Sequence, residues 1–344
     1  MRKRFRHFFR PSNDELVDLW GSGIFILDAS VLLNVYGYSS ETSEKLISLL
    51  ESLAGRIWLP HQFGLEFARD RSRVVIRQVS NYANAEKDLR KIKADYLAPK
   101  HDHPFLTPNS TEAFDKICDE LAEARRKMES LIGDDPKLDR ILDIFKDHVG
   151  KEPSAEELSK VHNQAKERFE KKIPPGYEDL KDKEPPEAYG DYVGWVQLVG
   201  IAKAEGKGII LVIDDLKSDW WLIEKERTIG PRPELVQEFT SATGSPFFMY
   251  TSENFLRAAT KFTSFQVDDQ SIEEVRERLA RQRQDQGLDH LKSTTLETLV
   301  DISDAKAPGT NEEPKASETK PELSDADLSD LKPEEDSPKV SPEE

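Results

Sequence analysis

Cysteine is nearly missing: Cys118 stands alone among 344 residues. No intramolecular disulfide framework and no cysteine-based metal motif is therefore available, and a lone thiol reads as a buried structural group. Long apolar runs are missing too. None approaches the roughly 18 residues of a membrane span, so no membrane partner is expected. Residues 1–10 are basic and aromatic, with Arg2, Lys3, Arg4, Phe5, Arg6, Phe8, Phe9 and Arg10, but they lack the apolar stretch and small-residue cleavage site of a secretory signal. A soluble, cytoplasmic protein is the expectation. Internal repeats are absent. Positive charge is also short, the net formal charge being −17. That balance opposes a polyanionic partner, because neutralising phosphates takes clustered Lys and Arg. The deficit is uneven, however. Residues 287–344 hold 16 acidic and 6 basic side chains, a net of −10, which leaves −7 for residues 1–286. The objection weakens accordingly.

What is present is an alternation of short apolar runs with amphipathic stretches. Residues 23–27, Gly-Ile-Phe-Ile-Leu, read as a strand buried on both faces and end at Asp28; such continuous runs belong to parallel sheets. Residues 43–53 have helical spacing through Leu46, Leu49, Leu50 and Leu53, and 56–59 form a second strand stopped by Pro60. From His61, the positions of Phe63, Phe67, Val74 and Val75 predict a helix carrying Glu66 in its first turns. A charged helical region of about 75–172 follows, divided by Pro104, Pro108, Pro136 and Pro153 and closed by a rigid loop at 173–177. It reads as an insertion of helical hairpins with coiled-coil character. Helix returns at 189–204, and 208–213 is the strongest buried strand, ending at Asp214 and Asp215. A final strand at 247–250 precedes a helix from about 252, and 273–284 supplies one more. The sum is an α/β fold with a mainly parallel sheet. The expected organisation is a domain at 1–264, a helical extension at 265–286 and a disordered acidic tail at 287–344, whose Pro, Glu, Ser, Asp and Lys content offers little to bury.

Two of the three best strands end in Asp. Side chains beyond the carboxyl ends of parallel strands line the functional crevice of open sheets, so Asp28 and the pair Asp214–Asp215 can meet in space although far apart in the chain. Like charges that meet repel, and one takes up a proton unless a cation lies between them. A hard ion such as Mg²⁺ suits a few carboxylates and several waters. For any one acid, capping the next helix is as good an account as catalysis. Their repetition at strand ends tips the balance.

Residues 28–36, with Asp28, Ser30, Asn34 and Tyr36, resemble the first motif of PIN-like domains, in particular a bacterial group with a long helical insertion. The likeness continues through Glu66 and Phe67, through Pro174, Pro175, Gly176 and Tyr177, and from Tyr189 and Asp191 to Trp195. It is closest over 212–221 and resumes at 230–235. Together these span roughly residues 8–260. The resemblance implies a three-layer α/β/α fold, four acids on Mg²⁺ or Mn²⁺, and cleavage of RNA more often than DNA. Carried over position by position, the metal and catalytic acids are Asp28, Glu66, Asp191 and Asp215. Asp214 competes with Asp215, which holds the last position of the family's Thr-x-Asp pattern; Ile213 replaces the Thr. Ser30 stands where many members carry Asn and keeps a polar group near the metal.

If Glu66 is helical, Arg69, Arg73 and Arg77 follow at +3, +7 and +11 on its side of the helix. They form a candidate track for a phosphodiester backbone, with a solvated charged face as the plain alternative. Lys217 is a further candidate phosphate contact, and Ser30 a further substrate contact. Asn34 can as well bond backbone, Trp220 and Trp221 read as core and rim aromatics, and His101-Asp102-His103 lacks the third partner of a metal site. The leading reading is a metal-dependent endonuclease, an endoribonuclease first, in which water activated by the ion attacks a phosphodiester. Toxin, phage-defence and RNA-processing settings stay open. The alternatives are a DNA nuclease of the same fold and a non-catalytic module docking a protein partner through the insertion or the acidic tail. A haloacid-dehalogenase-type phosphatase would use Asp28 as a nucleophile, but it needs a second Asp where Ser30 stands.

Overall fold

Short runs of Ile, Leu, Phe and Val can bury every side chain only at the centre of a sheet covered on both faces. In the computed structural model, which describes residues 1–2, 4–96 and 108–285, that is where they lie. The order is α1 (Asn13–Ser22), β1 (Ile24–Leu27), α2 (Ala29–Asn34), α3 (Ser40–Ser52), β2 (Ile57–Trp58), α4 (His61–Tyr96), α5 (Pro108–Ser130), α6 (Pro136–Phe145) and α7 (Ala155–Glu170). There follow α8 (Gly190–Glu205), β3 (Ile209–Val212), β4 (Trp221–Glu224), β5 (Arg227–Pro231), α9 (Pro233–Thr243), β6 (Phe247–Tyr250), α10 (Ser252–Phe262) and α11 (Asp269–Asp285). The main sheet is parallel with strand order β2-β1-β3-β6. The chain thus leaves β1 toward one edge and β3 toward the other, which places a topological switch point between these two strands.

Two helical layers cover the sheet, giving the α/β fold that the sequence predicts. On one side α3, α11, α10 and α1 touch in series; on the other α4, α8 and α9 do. The first layer seals its face with Trp20 stacked on Phe255 and Phe262 and set edge-on to Phe25. The second does so with Trp195, Phe239 and Phe247. Burying each such ring contributes about 1.5–3 kcal/mol, so the central strands are fixed from both sides. Gly194 lets α8 approach α4, since a Cβ there would overlap the ring of Phe63.

The expected insertion is less separable than its charge suggests. α4 runs unbroken from His61 to Tyr96, so one helix carries both Glu66 and the first arm of the charged region, with α5 packed along it. α6 turns back onto α3 and β2, and Leu59 forms a parallel bridge with Val149 beside the sheet. Tyr36 and Arg71 both donate to Asp135 at the start of α6, at 2.8 Å. The antiparallel hairpin of β4 and β5 was not expected. Its turn places Lys225 and Glu226 at positive φ, 47° and 65°, without the Asn-Gly or Asp-Gly pair that announces such turns. Cys118 is buried and unpaired, and Trp220 and Trp221 are both buried. The expected tail at 287–344 and the His101-Asp102-His103 loop lie outside the described residues. Among the described residues no helix is long and apolar enough to cross a membrane.

Candidate active site

The register of β1 on β3 builds the floor of the site. Leu27 pairs with Val212, and the Asp28 N–H donates to the Val212 carbonyl at 2.9 Å. Both strands therefore stop at the same level, at the switch point, where ligands collect in open α/β sheets. A cleft of about 1190 Å³ opens there. Asp28, Ser30, Glu66, Asp191, Asp214 and Asp215 all line it, although they come from four separate stretches of sequence.

Each acid is aimed by its own local structure. Asp28 caps α2, its Oδ1 accepting from the Ser30 N–H at 2.8 Å; capping and cleft-lining coexist in one side chain. Glu66 projects from the second turn of α4, with Gln62 Nε2 donating to its Oε1 at 2.7 Å. Gly190 makes room for it, because a Cβ there would lie 2.6 Å from that oxygen. Asp191 opens α8 and accepts from Trp220 Nε1 at 3.0 Å. Asp215 accepts from the Lys217 backbone N–H at 3.0 Å and from its ammonium at 2.8 Å.

The two neighbours after β3 behave differently. Asp214 accepts from the Ser252 N–H at 2.8 Å, the Ser252 hydroxyl at 2.7 Å and Asn34 Nδ2 at 2.8 Å. Three donors hold it against α2 and α10, so it anchors the floor, whereas among the described residues the Asp215 carboxylate is bonded by Lys217 alone. The Ser30 hydroxyl accepts from the Asp214 N–H at 3.3 Å, which joins Ser30 to the same anchor. Asn34 thus bonds a side chain and not backbone.

The crowding shows in the ionisation of these groups. Burial first, then the charges of Glu66 and Asp215, push Asp28 up to about 7, against the pull of Ser30. Burial, with Asp179, Asp215 and Asp28 adding to it, holds Asp191 far above the usual carboxylate range. Glu66 is raised by burial, with Gln62 as the main opposing influence. Burial is the largest cause at all three, and the charge of neighbouring acids adds to it.

Asp179 is the residue that sequence reasoning missed. Its carboxylate and those of Asp191 and Asp215 lie within 4.8 Å of one another. It is already neutralised: its Oδ1 takes the Lys217 ammonium, which it shares with Asp215, and its Oδ2 takes Lys183 at 2.6 Å. Although burial opposes it, these two lysines hold Asp179 below its ordinary value. A metal seated on this trio would compete with Lys217, whose ammonium bonds both Asp179 and Asp215, whereas among the described residues no lysine or arginine is ion-paired with Asp28, Glu66 or Asp191. Asp179 sits two residues after Tyr177, in a 3₁₀ turn; its nearness to the Pro-Pro-Gly-Tyr stretch was the one available signal. Asp219 fixes that turn, its Oδ2 accepting from the N–H groups of Gly176 at 2.9 Å and Glu178 at 3.0 Å.

The arginine stripe runs along the same cleft: Arg69, Arg73 and Arg77 all line it. Arg69 and Arg73 share Asp70, at 3.1 and 2.7 Å, and both are well exposed, so such pairs contribute about 0–1 kcal/mol and leave the guanidinium groups available. Lys217, a candidate phosphate contact, instead has its ammonium between Asp179 and Asp215. Side chains outside the expected set complete the walls: Leu158 and His162 from α7, and Arg278, Arg281 and Gln282 from α11.

The donor set suits a hard divalent cation. It consists of carboxylate oxygens alone, partly buried and mutually repelling, with no thiolate or imidazole among them. A family model for a PIN like domain matches residues 24–235, more than half of the chain. No curated protein and no solved structure matches it.

Proposed function

The chain belongs to the PIN-like domain family, and from that premise we propose that it is a divalent-metal-dependent endonuclease acting in the cytoplasm, with RNA as the preferred substrate. Asp28, Glu66, Asp191 and Asp215 are the acids that would hold Mg²⁺ or Mn²⁺. One observation carries this reading: four acids from four parts of the sequence line a single cleft at the switch point of the sheet, and three of them have raised pKa values. The ion, when bound, supplies positive charge that lowers the pKa of an attacking water and offsets the charge building on the phosphoryl oxygens.

The chain's own residues do the rest. Burial, and after it the charges of Glu66 and Asp215, hold Asp28 up to about 7, so a cation held beside it would favour its ionised form. The Trp220 indole holds Asp191 in place, and Lys217 keeps Asp215 oriented while neutralising the Asp179 behind it. Arg69, Arg73 and Arg77 bind the substrate backbone through its phosphates, which positions a nucleic acid without reading its sequence. No side-chain nucleophile is involved, so attack by water leaves no covalent intermediate.

The test is to incubate the full chain with mixed RNA and DNA in Mn²⁺, and again with a chelator, then sequence the new ends. Internal cuts in RNA that vanish with the chelator are expected. Cuts in DNA alone would keep the metal centre and replace the substrate. Cleavage that survives the chelator, or no cleavage of either polymer, would end the proposal.

A further inference from the structure

The helical layer that does not carry Glu66 also reaches the cleft. α11 lies beyond the segment matched by the family model, 24–235, yet Arg278, Arg281 and Gln282 line the same cleft as Asp28, Glu66 and Arg77. Positions i, i+3 and i+4 share one side of a helix, so this face of α11 is turned toward the site.

α11 is fastened there. Arg278 Nε donates to Asn34 Oδ1 at 3.2 Å, and a terminal nitrogen donates to the Gly37 carbonyl at 3.1 Å. Gln282 Nε2 donates to the same Asn34 oxygen at 2.7 Å, and Asn34 in turn donates to Asp214. The Arg278 guanidinium also lies over Tyr38, 5.5 Å from the ring centroid. Gly37 makes the seat: any Cβ at that position would overlap the guanidinium. These contacts orient the positive charge without neutralising it, since none of them is with a carboxylate.

Its cationic neighbours are equally short of partners. Among the described residues Arg77 makes no hydrogen bond or ion pair. Arg281 pairs only with Glu277, at 3.6 Å, and both side chains are exposed. Burial, and then the nearby Arg77 and Arg281, hold Arg278 below its ordinary pKa, against Tyr38 and Asp214. Three guanidinium groups from two helical layers therefore converge on one cleft with unspent positive charge. An anion with several oxygens satisfies such an arrangement, and guanidinium forks match phosphate in particular.

We propose that Arg278 and Arg281 of α11, with Arg77 of α4, form a second phosphate site that grips the substrate backbone away from the bond being cut. The proposal rests on the nuclease reading and adds α11 to it. Its role is positioning, so it should act on binding and leave turnover at saturating substrate unchanged.

The experiment measures binding of labelled single-stranded RNA and DNA oligonucleotides to the full chain in chelator, across a range of salt. Arg281→Gln should lower the slope of log Kd against log salt by about 0.7. Gly37→Ala leaves the net charge intact but unseats Arg278; it should weaken binding several-fold with the melting temperature little changed. Cleavage of RNA in Mn²⁺ at saturating substrate should match the wild type in both. If the wild type binds and cuts while the variants keep its slope and affinity, the α11 site is refuted and the nuclease reading stands. If the wild type neither binds nor cuts, both fall together.

Discussion

Asp28→Asn should lower metal-dependent cleavage by more than about 100-fold, the upper end of what losing a residue behind a metal ligand costs. The substitution isolates the charge. Asn caps helices about as well as Asp, so the bond from the Ser30 N–H to this position survives and α2 keeps its start. What is lost is one of the four cleft-lining carboxylates proposed to hold the metal. Asp214→Asn should behave differently, because all the groups on Asp214 are donors. An amide NH₂ would face some of them, costing about 1–3 kcal/mol of stability. Measuring both variants for activity and for urea unfolding separates the roles. A fully active Asp28→Asn protein would remove this residue from the chemistry, and an Asp214→Asn protein of unchanged stability would remove Asp214 from the anchor.

The second large effect concerns stability without metal. Asp28 ionises near the ordinary value of 3.8 in the unfolded chain but at about 7 in the fold. The folded state therefore holds a proton that the unfolded state has already released. Stability contributed by that proton is present below the unfolded value and is lost as pH rises toward about 7, by at most about 4 kcal/mol. In chelator, the melting temperature of the wild type should fall between pH values of about 5 and 7.5, and that of Asp28→Asn should fall less. Near neutrality the variant should melt higher than the wild type. Adding Mn²⁺ should raise the wild type by mass action and leave the variant nearly unmoved. Parallel pH curves for the two proteins in chelator would mean that Asp28 is not under electrostatic pressure.

The parts of this site that could be read from sequence are those with local causes. The runs 24–27 and 209–212 are apolar at every position, which only a doubly covered strand explains, and both are buried throughout. That located Asp28 and the Asp214–Asp215 pair. Glu66 and the arginine stripe followed from helical periodicity after His61. What periodicity does not carry is contact between distant segments. The resemblance preferred Asp215 to Asp214, but the hydrogen bonds that hold Asp214 come from Ser252 and Asn34, which arrive from α10 and α2. Asp179 sits in a short 3₁₀ turn, and its role shows only through Lys183 and Lys217. The cleft-lining face of α11 is hidden because its polar residues read as a solvated helix until Asn34 and Gly37 are seen against them. The extent of α4 was missed for a simpler reason: hydrophobic spacing fades after Val75, but no proline interrupts the helix before Tyr96.

The most direct measurement is an anomalous-scattering map from crystals of the full chain soaked in Mn²⁺. The account predicts a peak within coordination distance, about 2.0–2.6 Å, of carboxylate oxygens from Asp28, Glu66, Asp191 or Asp215, with Lys217 still bonded to Asp179. A peak on Asp179 with Lys217 displaced, or no peak in the cleft at saturating Mn²⁺, would contradict it.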